Sequence, residues 1–340
     1  MIENFNVLIT DRFDIQALAT LKATPGLGVS VSNTPQPTPV ELNNCHGLII
    51  RSRTKIDDKL LSLAPKLRVI ITATSGFDHI DLEATARRNI DVAFTPQANV
   101  TSAAELTWGL MLACMRRLVE AHRAIKSGEW RREALVGREL KGKTLGIVGL
   151  GRIGSRVARF ANAFEMKVVA FDPYKEPEAF SQLGAARVAF EELLMLSDIV
   201  TFHVPATAET KFMLSPLNME SMNRHAIIIN ASRGSVIAEQ DLVKALNEGW
   251  IAGAGLDVFE REPLPRDSRL LTFQNVVMTP HLGATTGEAF AEASLEAALK
   301  MQQYISPDLS HGAQSLKDKL PPDDAWYRAG FSMRERDKLK

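Results

Sequence analysis

Forty basic and forty acidic side chains cancel over 340 residues, which leaves no electrostatic footprint for nucleic acid or an acidic membrane surface. With 45% hydrophobic residues there is material for about two domains of roughly 100–200 residues each, and no apolar run reaches membrane-spanning length. Cys45 and Cys114 are far apart in apolar surroundings, and the acidic start MIENFNVLIT lacks the basic region of a signal peptide. Two buried thiols in a reducing cytoplasm are therefore expected, with neither disulfide framework nor metal site.

The first third predicts a small α/β pattern. Strands are expected at 7–10, 29–32, 47–51, 67–73 and 91–95, with helical runs at 14–23, 57–63 and 82–88 between them. This alternation implies a parallel sheet covered on both faces. Residues 34–39 carry three prolines and read as a loop. The run 102–126 is apolar around most of its circumference, so one long buried helix is expected there.

The stretch KTLGIVGLGRIGSRVARFANAFEMKVVAFD, 143–172, carries the strongest local signal. An apolar β-branched strand runs straight into Gly149, Gly151 and Gly154, spaced G-x-G-x-x-G, and an amphipathic helix over 153–164 follows. The first glycine permits the tight turn, the second lets a pyrophosphate approach the backbone, and the third lets helix and strand pack closely. The helix N-terminus offers free N–H groups and positive dipole to a diphosphate. A second strand at 167–171 ends at Asp172, whose carboxylate can accept hydrogen bonds from both ribose hydroxyls of an adenosine. Dinucleotide binding is expected. Asp172 would repel a 2′-phosphate and neither Pro173 nor Tyr174 neutralises one, so NAD is favoured over NADP, with Lys175 as the nearby cation.

The alternation then resumes. A helix is expected at 191–196, then a strand at 199–203 running into Val204 and Pro205, a very apolar strand at 226–230 and a helix at 239–247. Strands at 252–257 and 276–279 and a helix over 288–304 complete the pattern. The tail, 306–340, is rich in charge and proline, and its Trp326, Tyr327 and Phe331 are candidates for docking on a surface.

Three of these strands are followed at once by polar groups. They are Ala231-Ser232-Arg233-Gly234, VFEREP with Glu262, and Pro280-His281-Leu282-Gly283-Ala284. All lie just beyond the carboxyl ends of parallel strands, where ligands bind in open α/β sheets. Singly, each reads as an ordinary surface residue; together beside a dinucleotide they are coherent. Arg233 can hold and polarise an acid, His281 can exchange a proton with its oxygen, and Glu262 can orient the imidazole and raise its pKa.

With these motifs assembled, GLGRIG and its following acid, INASRG, AGLDVFEREP and TPHLGA, the chain resembles the D-isomer-specific 2-hydroxyacid dehydrogenases over about residues 5–305. The resemblance implies Arg233 as substrate-binding residue, His281 as acid/base and Glu262 as its partner. It places Arg152 and Ile153 at the pyrophosphate, His203, Val204 and Pro205 at the adenine side, and Ala231, Ser232, Asp257 and the His281–Ala284 loop with Gly283 at the nicotinamide side. It implies a Rossmann-type doubly wound parallel sheet, 99–284, inserted into a smaller flavodoxin-like α/β substrate domain made of 1–98 and 285–305. The active site is then expected in the cleft, with domain closure as a gate. A homodimer is implied too, with the 102–126 region at its interface.

Within that family IIRSRTKI, DLEATARRNIDV, SAAELTWGLMLACMRR and HLGATT look most like the D-3-phosphoglycerate dehydrogenases, in a short form without their regulatory extension. One loop departs from the pattern, reading Ser75-Gly76-Phe77-Asp78-His79. The expected substrate is a small 2-hydroxy or 2-oxo acid, first 3-phosphoglycerate/phosphohydroxypyruvate. A glyoxylate or hydroxypyruvate reductase and an NAD-sensing corepressor-like protein are the alternatives. A second anionic group would be read by Arg51 or Arg53, sharing a face at the end of an extended strand, with Ser52 as a hydroxyl donor. Ser75 and Gly76 would line the same pocket beside the nicotinamide, narrowed by Phe77.

Overall fold

The computed structural model describes residues 5–305 and the pair Trp326–Tyr327. The chain divides into two compact units, Met1–Asn99 with Thr286–Lys340, and Val100–Thr285.

The first unit is built on strands β1 (Phe5–Ile9), β2 (Leu27–Val31), β3 (Gly47–Ile50), β4 (Val69–Thr72) and β5 (Asp91–Phe94). They pair in parallel in the order β2-β1-β3-β4-β5. That is the 2-1-3-4-5 order of flavodoxin-like sheets. Side chains alternate across the pleat. Leu8, Leu48, Ile50 and Ile70 enter one core with Leu42, Leu61 and Ile80, while Val7, Ile9, Ile49 and Ile71 enter the other. The second core is closed by the helix Gly287–Ile305, whose Ala293, Ala297 and Met301 recur at four-residue spacing along one stripe.

The second unit has β6 (Thr144–Val148), β7 (Lys167–Phe171), β8 (Ala185–Arg187), β9 (Ile199–Phe202), β10 (Ile227–Asn230), β11 (Gly253–Leu256) and β12 (Val276–Met278). All are parallel, in the order β12-β11-β10-β9-β6-β7-β8. Val148, Val200, Phe202 and Ile228 face one core, and Leu145, Ile147, Ile199, Ile227 and Ile229 the other. A sheet buried on both faces is why these strands read as continuous apolar runs. Strand order reverses between β6 and β9, and that switch point opens a crevice at the carboxyl ends of the strands.

Several expectations are corrected. The run 102–126 is two helices, Val100–Met115 and Leu118–Lys126, separated at Arg117, whose backbone is left-handed at φ 52°. The first is largely buried, but the second exposes Leu118 and Ile125, so uniform burial of the run does not hold. The break is held by Arg117, which bonds the carbonyl of Ala134 and pairs with Glu120. The short helices Pro39–Asn43 and Pro216–Glu220 are further elements the periodicity does not reveal. Each has a capping box and an N-terminal proline, from Thr38 with Glu41 and from Ser215 with Asn218. That local signal is legible where periodicity is too short to count. Trp326–Tyr327 forms strand β13, antiparallel to β5, and the rest of the tail lies outside the described residues.

Candidate active site

The glycine turn sits at the switch point. Gly149 has φ 91°, and a Cβ there would lie 2.6 Å from the His203 carbonyl oxygen. A Cβ on Gly154 would lie 2.1 Å from the Gly149 carbonyl oxygen, so the helix packs down on the turn only because this residue is glycine. Gly151 differs: a Cβ there meets nothing within 4 Å. It caps the helix Arg152–Ala163 with no side-chain hydrogen bond, leaving N-terminal amides for an anion. Asp172 Oδ2 accepts from the Leu150 N–H at 2.8 Å and Oδ1 from the Tyr174 N–H at 3.0 Å. Each oxygen retains a lone pair for a ribose hydroxyl. These residues fit a dinucleotide: bare backbone for a diphosphate, and a pre-oriented carboxylate for a ribose.

On the other side of β6, His203 follows β9. Its Nε2 lies 3.1 Å from Thr201 Oγ1, and burial pushes its pKa down to about 3. A neutral imidazole thus backs the crevice beside Val204, which approaches Gly149, and the exposed Pro205.

Arg233, Glu262 and His281 come from the loops after three adjacent strands, β10, β11 and β12. The loops carrying Arg233 and His281 are each pinned by a buried polar side chain. Asn230 Oδ1 accepts from the Ser232 N–H and hydroxyl at 3.1 and 2.9 Å, while its amide donates to the Arg233 carbonyl at 3.0 Å. Asp257, fully buried, accepts from the Thr279 hydroxyl, the Leu282 N–H and the Gly283 N–H at 2.6, 2.7 and 2.8 Å. Gly234 brings the first two loops together, since a Cβ there would sit 1.8 Å from the Phe259 carbonyl oxygen. Asn230 and Thr279 stand inside INASRG and TPHLGA, where they hold the loops in place. Their signal was a polar residue closing an otherwise apolar strand.

His281 Nδ1 lies 2.7 Å from Glu262 Oε2, and the other carboxylate oxygen accepts from the Phe259 N–H at 3.1 Å. His281 has a left-handed backbone, φ 55°, held by its N–H to the carbonyls of Asp257 and Thr279. The hydrogen bond to Glu262 raises the imidazole pKa above its ordinary value, against burial and the Arg233 charge. Burial works to raise the Glu262 carboxyl, but His281, the Phe259 N–H and the Arg233 charge together bring it below the usual value. With Nδ1 held by the carboxylate, Nε2 is the nitrogen left to carry an exchangeable proton. Arg233 Nη1 donates to the Ser232 carbonyl at 2.8 Å, which ties the guanidinium to its own turn.

Arg51, Ser52, Arg53, Ser75 and Gly76 belong to the first unit. The extended stretch expected through Arg53 does not form: β3 ends at Ile50, and the Thr54 N–H returns to the Arg51 carbonyl in a turn. The two arginines consequently have different surroundings. Arg53 is held in a two-pronged pair by Asp11, whose side chain is buried. Arg51 lies over the Phe290 ring, 5.0 Å from its centroid, and its buried Nη1 has no hydrogen-bond partner among the described residues. The Ser75 hydroxyl bonds the Thr95 carbonyl and Asn99. A chain of hydrogen bonds, His79 to Thr72 to Thr74 to the Gly76 carbonyl, fixes this loop. Phe77, expected to narrow a pocket, packs its ring on Phe94 at 4.9 Å and against the core.

The family model for the D-isomer specific 2-hydroxyacid dehydrogenase, NAD binding domain, matches residues 108–283. A D-3-phosphoglycerate dehydrogenase of Methanocaldococcus jannaschii is 39% identical over 311 residues, 91% of this chain and 59% of that relative. The chain thus spans about three-fifths of the length of that relative. A glyoxylate reductase of Aeropyrum pernix is 40% identical over 307 residues, 87% of this chain and 88% of that one. Among solved structures, a D-lactate dehydrogenase of Aquifex aeolicus complexed with NAD and lactic acid superposes with TM-score 0.80 at 30% identity, covering 90% of this chain and 97% of the other.

Proposed function

The chain belongs to the D-isomer-specific 2-hydroxyacid dehydrogenases, and from that premise we propose that it interconverts a small 2-hydroxy acid and its 2-oxo acid with NAD as cofactor. The observation that carries the reading is the 2.7 Å contact between His281 Nδ1 and Glu262 Oε2, beside Arg233 and on the same sheet edge as the glycine turn. The nicotinamide, when bound, supplies or accepts the hydride. Arg233 takes the substrate carboxylate, for which planar guanidinium geometry suits a two-pronged bond. His281 donates its Nε2 proton to the nascent alkoxide in reduction and removes it in oxidation, while Glu262 stabilises the imidazolium. Turnover by purified protein with NADH and a panel of 2-oxo acids tests this reading, and absence of turnover on the whole panel overturns it. NAD binding without turnover would instead point to the corepressor-like class.

The substrate we favour is the 3-phosphoglycerate/phosphohydroxypyruvate pair. Supporting it is Arg51, whose buried Nη1, unpartnered among the described residues, is a donor in want of an anion. Arg53, already neutralised by Asp11, is the weaker of the two cations for that task. Arg51→Ala should lower kcat/KM for phosphohydroxypyruvate by about 1.5–3 kcal/mol, as for a hydrogen bond to a charged group, and leave glyoxylate almost untouched. Equal losses on both would remove the phosphate assignment and leave the dehydrogenase standing. A glyoxylate reductase is the second reading, favoured by the match to 88% of the length of the Aeropyrum pernix relative.

We also propose a homodimer through the segment around the second half of 102–126. Leu118, Ile125, Trp130 and Val136 are exposed close together in sequence, an apolar set that water does not favour. Sedimentation at micromolar concentration tests it, and a monomer there refutes it. No described helix is long and apolar enough to cross a membrane. We propose a cytoplasmic location as well, where Cys45, buried, and Cys114, half-buried, stay free thiols; burial raises both to about 12.

A further inference from the structure

Discrimination against NADP is ordinarily assigned to the acid at the end of the second strand, here Asp172. A second carboxylate is joined to the same loop. Strands β7 and β9 flank β6, so their loops lie on either side of the glycine turn. Tyr174, two residues after Asp172 in the β7 loop, reaches across and donates its hydroxyl to Glu209 Oε2 in the β9 loop at 2.5 Å. Glu209 sits on a backbone that is itself fixed. The Thr210 hydroxyl donates to the Pro205 carbonyl at 2.6 Å, the Thr207 N–H bonds Thr210 Oγ1 at 2.9 Å, and the Lys211 N–H returns to the Thr207 carbonyl at 3.0 Å.

A 2′-phosphate needs donors and positive charge in the loop after the second strand. Tyr174 has two donors to offer, and both are taken by carboxylates: its N–H by Asp172 Oδ1, its hydroxyl by Glu209. Glu209 also brings a fixed negative charge to that position. Of the neighbouring cations, Lys175 is exposed, and the Lys211 ammonium lies over the Phe212 ring, 5.3 Å from its centroid. We propose that Glu209, held by Tyr174, is a specificity-determining residue that works with Asp172 to exclude a dinucleotide phosphorylated at the adenosine 2′ position. The inference rests on the dinucleotide reading of the glycine turn.

The test is direct binding of NADH and NADPH to the full chain, followed by nucleotide fluorescence, in wild type, Glu209→Gln and Tyr174→Phe. Wild type should bind NADH more tightly. Glu209→Gln keeps an acceptor for Tyr174 but removes the charge. It should tighten NADPH by roughly three- to tenfold, the scale of one partly screened charge, and leave NADH almost unchanged. That gain should shrink in high salt. Tyr174→Phe keeps the charge while releasing it into solvent, so its gain for NADPH should be smaller. A NADPH-to-NADH ratio that Glu209→Gln leaves unmoved would overturn the proposal, as would equal changes in both affinities or a larger gain from Tyr174→Phe. A wild type that binds neither nucleotide would overturn the dinucleotide reading as well.

Discussion

The two sides of the second unit's sheet reach their function by opposite means. Around β6, β7 and β9 the crevice is shaped chiefly by absent side chains: Gly149 and Gly154 leave no room for a Cβ, and Gly151 leaves bare backbone facing open space. Around β10, β11 and β12 it is shaped by polar side chains that hold loops, Asn230 for Arg233 and Asp257 for the segment carrying His281. A diphosphate is recognised by a conformation, and any residue that permits it suffices. An acid–base pair is recognised by atoms, and these must be held to within a few tenths of an ångström to work.

That contrast predicts separable losses. The largest is on the side-chain half: His281→Ala should lower kcat by about 10²–10⁴-fold, the usual share of positioned acid–base catalysis, with NADH affinity preserved. Stopped-flow reduction alongside NADH titration checks it, and a parallel loss of binding would show that the two halves are not independent. Next is the backbone half. Gly154→Ala drives a Cβ to 2.1 Å from a carbonyl oxygen, so the helix must move off the turn. It should reduce stability by about 1–3 kcal/mol, the scale of overpacking, and weaken NADH binding more than it slows turnover at saturating cofactor.

Asp257→Asn tests whether the loop is held by charge or by shape. The amide nitrogen would face an N–H donor of Leu282 or Gly283, leaving a buried donor unsatisfied at a cost of about 1–3 kcal/mol. We expect kcat to fall while glycine-turn binding survives; wild-type kcat would mean that the loop holds its shape without Asp257. The smallest effect is a displacement on the pH axis. His281 has its pKa raised chiefly by the Glu262 hydrogen bond, and reduction uses the protonated form. Activity in that direction should be full at low pH and lost as pH rises through the raised pKa. Glu262→Gln removes the main cause of the rise, so the falling limb should move to lower pH, as should the rising limb for oxidation. A pH profile identical to wild type would remove Glu262 from the proton-transfer step.

Read as a string, the chain already contained both parallel sheets, the crossing of Gly149, Gly151 and Gly154 from strand to helix, and the three loops with Arg233, Glu262 and His281. These are local facts: apolar runs declare buried strands, glycine spacing declares a turn, and residues just past a strand must sit at its carboxyl end. Folding decided which side chains from distant positions meet. Arg51 and Arg53 are alike in sequence, but Asp11 takes one and Phe290 lies against the other. The helix expected over 102–126 breaks where Arg117 finds partners at Glu120 and Ala134. Asp257 turns its carboxylate into the loop that carries His281, and Tyr174 meets Glu209 across 35 residues. Periodicity records how a segment packs, whereas a hydrogen bond between loops depends on where two strands end in the sheet, and only the assembled sheet sets that distance.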